Sequence, residues 1–207
     1  MPPTWGAGDG VKLTIGQAIS FARQEPFYNS WASGCFVSCI FVFSVDGRIR
    51  ICTLNCPGSW HDSHNSDHKA YDRIEEVYAK HKAKIVVDSA FKVRESKAMI
   101  KSSQQDPSDR ELLLINRDAT SIRQLSEWGM RMIQAQFPRL KDPIYYEENG
   151  ERRVILNLMV LLYNFQCSRV GHNMILSSFM HNKKNYYGRT RVPTAEANLS
   201  ALISNYN

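Results

Sequence analysis

Three acidic residues occupy positions where a carboxylate can do chemistry. Asp9 lies between two glycines beside an alternating strand pattern, and Asp88 directly follows a short apolar run. Glu127 lies on a predicted helix, with Arg123 and Arg131 four residues to either side. A charge at the end of an apolar strand is unfavourable unless it is hydrogen-bonded or bound to a metal. If the fold brings the three carboxylates together, they supply the oxygen ligands that Mg²⁺ prefers, and two such ions can hold the attacking and leaving oxygens of a phosphodiester displacement.

Each of these residues also has an ordinary structural interpretation. Asp9 suits a turn, and Asp88 can cap the turn after its strand. Glu127 can form surface ion pairs with the two neighbouring arginines. Spacing alone leaves both interpretations open, because acidic residues are common in proteins.

The cysteine and histidine residues suggest a zinc site, which geometry argues against. The pairs in question are Cys35 and Cys39, Cys52 and Cys56, and His61 and His64. The first pair falls in a predicted strand, where residues four apart are separated by about 13 Å. One zinc ion holds each sulfur at about 2.3 Å, so free thiols are favoured. No motif singles out one of the five cysteines as a nucleophile.

A sharp turn at Pro57-Gly58-Ser59 precedes His61 and Asp62. The turn can aim both side chains at the acidic cluster, as accessory groups. Alternatively, Ser59 or Asp62 caps the helix that follows.

Positive charge is concentrated in the last third of the chain. The net charge is +6, yet residues 152–193 contain seven Lys and Arg and no acidic residue. In the segment 181–207, cations alternate with aromatic residues, and the cations are Lys183, Lys184, Arg189 and Arg191. Cations suit phosphates and aromatic rings can stack on unpaired bases, so this segment is a candidate DNA contact. A solvated tail with no specific role is the alternative.

The 207 residues suit one domain with a tail, and a hydrophobic content of 43% is enough for a core. We predict strands at 5–15, 35–45, 48–54 and 85–87, with a hairpin turn at Asp46-Gly47. We predict a helix at 62–82, a helix at 120–137 capped by Thr120 or Ser121, and a buried helix at 153–168. Between them we predict a polar stretch at 92–118 and a loop at 141–151. This order indicates an α/β fold in which helices flank a mixed sheet. The N-terminus has no signal peptide and the most apolar run is too short to span a bilayer, so we expect a soluble intracellular protein.

Six short blocks follow one another in a characteristic order. They are 6–11 around Asp9, 27–31, 55–63 after the Asp46-Gly47 hairpin, 86–91 around Asp88, 121–130 around Glu127, and 162–165 with 170–173. Together, over about residues 5–180, they resemble the DDE superfamily endonuclease domain, the Harbinger/PIF-like class of transposases and the host proteins derived from them.

The resemblance implies an RNase H-like fold for a domain at 1–180, followed by a basic, loosely ordered tail at 181–207. It implies that Asp9, Asp88 and Glu127 are catalytic and bind two divalent cations, Mg²⁺ or Mn²⁺. The implied reaction is attack of water on a DNA phosphodiester, after which the freed 3′-OH can attack a second strand. Arg123 and Arg131 would contact phosphates beside the site, and the implied location is the nucleus.

Some features depart from the family pattern. Only eight residues precede Asp9, and Ser30 stands where the family tends to have glycine. We therefore expect an N-terminally truncated domain whose DNA target is specified by a separate DNA-binding protein. The alternative function is a catalytically inactive, transposon-derived remnant that binds DNA or a protein partner.

Overall fold

The structure, a computed structural model, describes residues 3–16, 25–59, 70–88, 91, 96–101, 110–144 and 149–170. Six strands are present in this part of the chain: β1 Thr4–Thr14, β2 Tyr28–Asn29, β3 Gly34–Ser44, β4 Ile49–Pro57, β5 Lys84–Val87 and β6 Met99–Lys101. The α-helices are α1 Ala70–His81, α2 Arg110–Gln136 and α3 Asn149–Val170, and short 3₁₀ helices cover Glu25–Phe27 and Pro138–Lys141. None of the described helices combines the length and apolar character needed to cross a bilayer.

The strands form one mixed sheet. β1 pairs antiparallel with β3, and β3 pairs antiparallel with β4. On its other side β1 pairs parallel with β5, which pairs parallel with β6. Three antiparallel strands followed, after a helix, by two strands parallel to the first are compatible with an RNase H-like fold. The prediction of a mixed sheet flanked by helices is confirmed.

Helices cover both faces of the sheet because the side chains of β3 alternate between them. Ile40 and Val42 pack with Ile74 of α1 in one core. Phe41 and Phe43 face the other way, into a core shared with α2 and α3. The molecule therefore has three layers, with α1 on one side of the sheet and α2 and α3 on the other.

The predicted hairpin at Asp46-Gly47 is confirmed, and Asp46 organises it. Gly47 has a positive φ of 80°, which glycine adopts without strain. The Asp46 carboxylate accepts hydrogen bonds from the Ser44 hydroxyl and, at 3.1 Å, from the Arg48 N–H. Arg50 forms an ion pair with the same carboxylate at 2.7 Å. These contacts fix the register of β3 and β4.

α3 is attached to β4 at both ends. The side-chain amide of Asn164 donates to the Ile49 carbonyl and accepts from the Ile49 N–H, each at 2.8 Å. At the far end of β4, the buried guanidinium of Arg152 donates to Asn55 at 3.1 Å and to Asn149 at 3.0 Å. α3 thus runs antiparallel to β4 along the edge of the sheet.

Two helix predictions were wrong in extent or environment. α2 begins at Arg110, so Thr120 and Ser121 lie inside it and do not cap it. Residues 110–119 contain no proline or glycine, so the helix includes the last part of the predicted polar stretch, from Arg110 onward. α3 begins at Asn149, inside the predicted loop. We predicted a buried helix, and the structure buries one face of it and exposes the other.

Other differences concern short or undescribed segments. β2 and β6 were not predicted, because two or three residues are too few to show a periodic pattern. The first part of the predicted helix at 62–82 and the predicted tail at 181–207 lie outside the described residues, and α1 covers Ala70–His81.

Candidate active site

Asp9 lies in the middle of β1, three residues after a glycine at which β1 and β3 approach closely. A Cβ atom at Gly6 would lie 2.2 Å from the carbonyl oxygen of Phe43 on β3, so only glycine fits there. Asp9 itself is partly buried, and its Oδ1 accepts a hydrogen bond from the Gly10 N–H at 2.8 Å. It is therefore a strand residue, which overturns its interpretation as a turn residue.

Asp88 follows β5, as predicted from the apolar run before it. Ile85, Val86 and Val87 are all fully buried, whereas the Asp88 side chain is 39% exposed. The Phe91 N–H donates to the Asp88 backbone carbonyl at 3.2 Å. The turn after β5 thus uses the main chain of Asp88 and leaves its carboxylate to face the site.

Asp9 and Asp88 lie side by side on one face of the sheet. β1 and β5 are parallel with Gly8 paired to Val87, so the two aspartates occupy the next position on adjacent strands. Neighbouring strands are about 4.8 Å apart, and side chains two residues apart point to the same face. Ala7, two residues before Asp9, packs with Leu125 of α2. Asp9 therefore projects from the face that α2 covers.

Asp88 shares that face by the same alternation. Ile85 and Val87 belong to the core beneath α1, on the opposite face of the sheet. Val86, and Asp88 two residues later, therefore point toward α2.

Glu127 lies on α2, and this helix approaches the sheet closely at a glycine two residues later. A Cβ atom at Gly129 would lie 2.4 Å from Cε1 of Phe43, a fully buried ring. Leu125, also fully buried, packs on Ala7 from the same helix. The absent side chain at Gly129 lets α2 lie directly on β1 and β3. Sequence analysis missed this residue, although a glycine inside an amphipathic helix is a recognisable signal.

Arg123 joins two of the three acidic residues. Its guanidinium lies 3.3 Å from Oδ1 of Asp88 and 3.5 Å from Oε1 of Glu127. The three side chains are between 36% and 44% exposed, so the ion pairs are partly solvated. The predicted ion pair of Glu127 is present with Arg123. Arg131 is exposed and is not ion-paired with Glu127.

The structure brings Asp88 and Glu127 together at Arg123 and places Asp9 next to Asp88, without closing the three into a metal cage. Asp88 and Glu127 share one guanidinium, and Asp9 is the neighbour of Asp88 in the sheet. Among the described residues, no three His, Cys, Asp or Glu side chains are close enough together to hold a metal ion. The donor chemistry nevertheless fits a hard divalent cation, since all three residues offer carboxylate oxygens on one partly exposed face.

The other predicted site residues cannot be located. His61 and Asp62 fall in the undescribed segment 60–69, and Lys183, Lys184, Arg189 and Arg191 fall in 171–207. Their roles stay predictions.

The prediction of free thiols is confirmed for all five cysteines. Burial raises the pKa of Cys39 to about 12, and it also raises the pKa values of Cys52 and Cys56, which lie on the neighbouring strand. A raised pKa favours the protonated thiol, which is a poor nucleophile.

A comparison with protein families identifies the chain. The sequence model of the family described as DDE superfamily endonuclease matches residues 8–164, which contain all three acidic residues of the site. The chain belongs to this family. No curated protein and no solved structure gave a significant match.

Membership of the DDE superfamily endonucleases agrees with the resemblance seen in the sequence blocks. It indicates a nuclease that acts on DNA phosphodiesters, and nucleases of this superfamily generally use divalent metals.

Proposed function

We propose that this DDE superfamily endonuclease cleaves DNA phosphodiesters with two divalent cations, Mg²⁺ or Mn²⁺, at Asp9, Asp88 and Glu127. One observation carries the proposal: Asp88 and Glu127 contact the same guanidinium, and Asp9 lies beside Asp88 on the same face of the sheet. These contacts, made by residues of three separate elements, support the proposal. When bound, the ions would lower the pKa of a water molecule and stabilise the leaving 3′ oxygen.

The protein's own contribution is to hold the carboxylates on rigid elements. Asp9 and Asp88 belong to adjacent central strands, and α2 holds Glu127 through the packing of Gly129 on Phe43. The fixed strands limit the rearrangement that is needed when ligands bind, which is the usual benefit of building a site on a sheet.

Arg123 has two roles in this proposal. Without ligand, its positive charge offsets the repulsion between Asp88 and Glu127. Its partial exposure leaves the guanidinium free to turn toward a phosphate oxygen of the DNA. Arg131 and the tail residues Lys183, Lys184, Arg189 and Arg191 would add sequence-independent phosphate contacts.

The biological setting belongs to the same proposal. We place the active domain at 1–180 and the DNA-contacting tail at 181–207. The protein would work in the nucleus with a separate DNA-binding protein that selects the target. The Harbinger/PIF-like subtype rests on the sequence blocks described above.

Nicking of supercoiled plasmid in Mn²⁺ tests the proposal. The natural protein should nick the plasmid, and Asp88→Asn should abolish nicking while DNA binding persists. Asp142→Asn is the matched control, because Asp142 is 59% exposed and pairs with Arg139 outside the site. Equal nicking by the natural protein and Asp88→Asn would refute the assignment of Asp88.

A second function is favoured by the ion pairs of Arg123, which already offset charge at two acidic residues. A retired nuclease that binds DNA or a protein partner would keep this arrangement. Thermal unfolding with added Mn²⁺ separates the two functions. A working site is stabilised by about 2.7 kcal/mol when Mn²⁺ is one hundred times its Kd, whereas a retired site gives no such shift.

A further inference from the structure

α3 presents an unusually apolar surface to solvent. Ten large hydrophobic residues are exposed in the described part of the chain, and six of them lie on this one helix. They are Val154, Ile155, Leu158, Leu161, Leu162 and Phe165, each between 48% and 66% exposed. A contiguous patch of this size reaches the few hundred square ångströms that single-chain soluble proteins rarely leave uncovered.

The patch is distinct from the face that α3 packs against the sheet. The inward residues are spaced by four, three and four: Arg152, Leu156, Met159 and Tyr163. A second stripe has the same spacing two residues later: Val154, Leu158, Leu161 and Phe165. Two residues turn an α-helix by about 200°, so the second stripe lies on the opposite side. This spacing is that of the seam between two packed helices.

The outward stripe matches a reversed copy of itself. Spacing of four, three and four reads the same in both directions, so two antiparallel α3 helices would bring Val154 opposite Phe165 and Leu158 opposite Leu161. A two-fold axis produces such a self-complementary contact between identical chains.

The charges at the ends of the stripe favour the antiparallel orientation. Glu151 and Arg169 are both exposed, and they are 18 residues apart, which is five full turns. They therefore lie on the same side of the helix, at opposite ends of the patch. Antiparallel pairing puts each Glu151 beside an Arg169 of the other copy, whereas parallel pairing would put like charges together.

We propose that the outward face of α3 binds the same face of a second copy of this chain, in antiparallel orientation. The proposal is independent of nuclease activity, since the patch is on the side of α3 that faces away from the sheet.

Sedimentation equilibrium of the full chain tests it. The natural protein should form a dimer that dissociates on dilution. Leu158→Glu should raise the dimer Kd about a hundredfold, because the two-fold axis buries the new charge twice. Gln166→Glu is the matched control: it adds the same charge to an exposed position of α3 outside the stripe and should leave the Kd unchanged.

Charge exchange tests the orientation. Glu151→Arg alone and Arg169→Glu alone should each weaken the dimer, and the double variant should restore it. A natural protein that stays monomeric at all concentrations would overturn the proposal. If Leu158→Glu then lowered the thermal stability of the monomer, the patch would be a contact surface for residues 171–207 of the same chain. A dimer that Leu158→Glu leaves intact would also overturn it.

Discussion

Gly129→Ala tests whether α2 lies on the sheet as closely as the structure shows. The added methyl group would stand 2.4 to 2.6 Å from three ring atoms of Phe43. That ring is fully buried, and its centroid is 6.2 Å from those of both Phe41 and Tyr163, so it has little space to retreat. α2 must therefore move outward, and Glu127 moves with it.

The expected cost follows from two opposing terms. Overpacking a buried contact costs about 1–3 kcal/mol. Replacing glycine by alanine inside a helix returns about 0.8–1 kcal/mol. We therefore expect a net loss of up to about 2 kcal/mol in the free energy of unfolding, which for a chain of this size lowers Tm by up to about 8 °C.

Urea denaturation and thermal unfolding measure this loss, and Gly150→Ala is the control. Gly150 also lies in a helix, but a Cβ atom there would meet no other atom within 4 Å. This control should leave the protein equally stable or slightly more stable. If Gly129→Ala behaved like Gly150→Ala, the close contact of α2 with Phe43 would be wrong, and the argument that it positions Glu127 would fail with it.

Three further changes have defined outcomes. Arg123→Gln removes the cation that competes with Mn²⁺ for the carboxylates of Asp88 and Glu127. Since an exposed ion pair contributes about 0.2–1 kcal/mol, the substitution should tighten Mn²⁺ binding, measured by calorimetry, roughly two- to fivefold. Weaker binding would contradict this. Asn164→Asp leaves the Ile49 carbonyl without its donor and should cost about 1–3 kcal/mol in urea denaturation, whereas the exposed control Asn157→Asp should cost much less. Cys39 should resist iodoacetamide at pH 8 until the protein unfolds, because its pKa is about 12. The folded thiol holds its proton more tightly than the unfolded one, so this contribution to stability is complete below about pH 8.5 and is lost as the pH rises toward 12.

The sheet was predictable where a strand has many β-prone or alternating residues. The aromatic and β-branched run around Phe41 and Phe43, the turn at Asp46 and the alternation after it identify the β3–β4 hairpin, because all three are local properties of the sequence. The apolar run before Asp88 likewise identifies β5. β6 has three residues and takes its place through pairing with β5, a long-range contact that no local pattern encodes.

The sequence made Asp9, Asp88 and Glu127 candidates without indicating their contacts. Their types and positions left an ordinary structural interpretation open, and the resemblance to the DDE superfamily endonuclease domain selected them. Arg123 bridges Asp88 and Glu127, and Gly129 sets the distance between α2 and the sheet. Both features depend on how the helix packs on Phe43. Such packing depends on shape, which hydropathy does not describe.

The environment of α3 shows the same limit. Apolar residues on all sides of a helix predict burial, and the structure buries only the stripe that contains Leu156 and Tyr163. Hydropathy measures the tendency to leave water and cannot say whether the cover is the same chain or another one.

The bonds between Asn164 and Ile49 also determine where this sheet can grow. An unpaired strand edge is a template on which another chain can add a strand and start an aggregate. At Ile49 the side-chain amide of Asn164 forms hydrogen bonds with both the main-chain N–H and the carbonyl, as the peptide group of a neighbouring strand would. At the opposite end of the sheet stands β6, whose three residues offer an edge too short for stable strand addition. Asn164 therefore blocks strand addition at the start of β4, and the short β6 limits it at the other edge of the sheet.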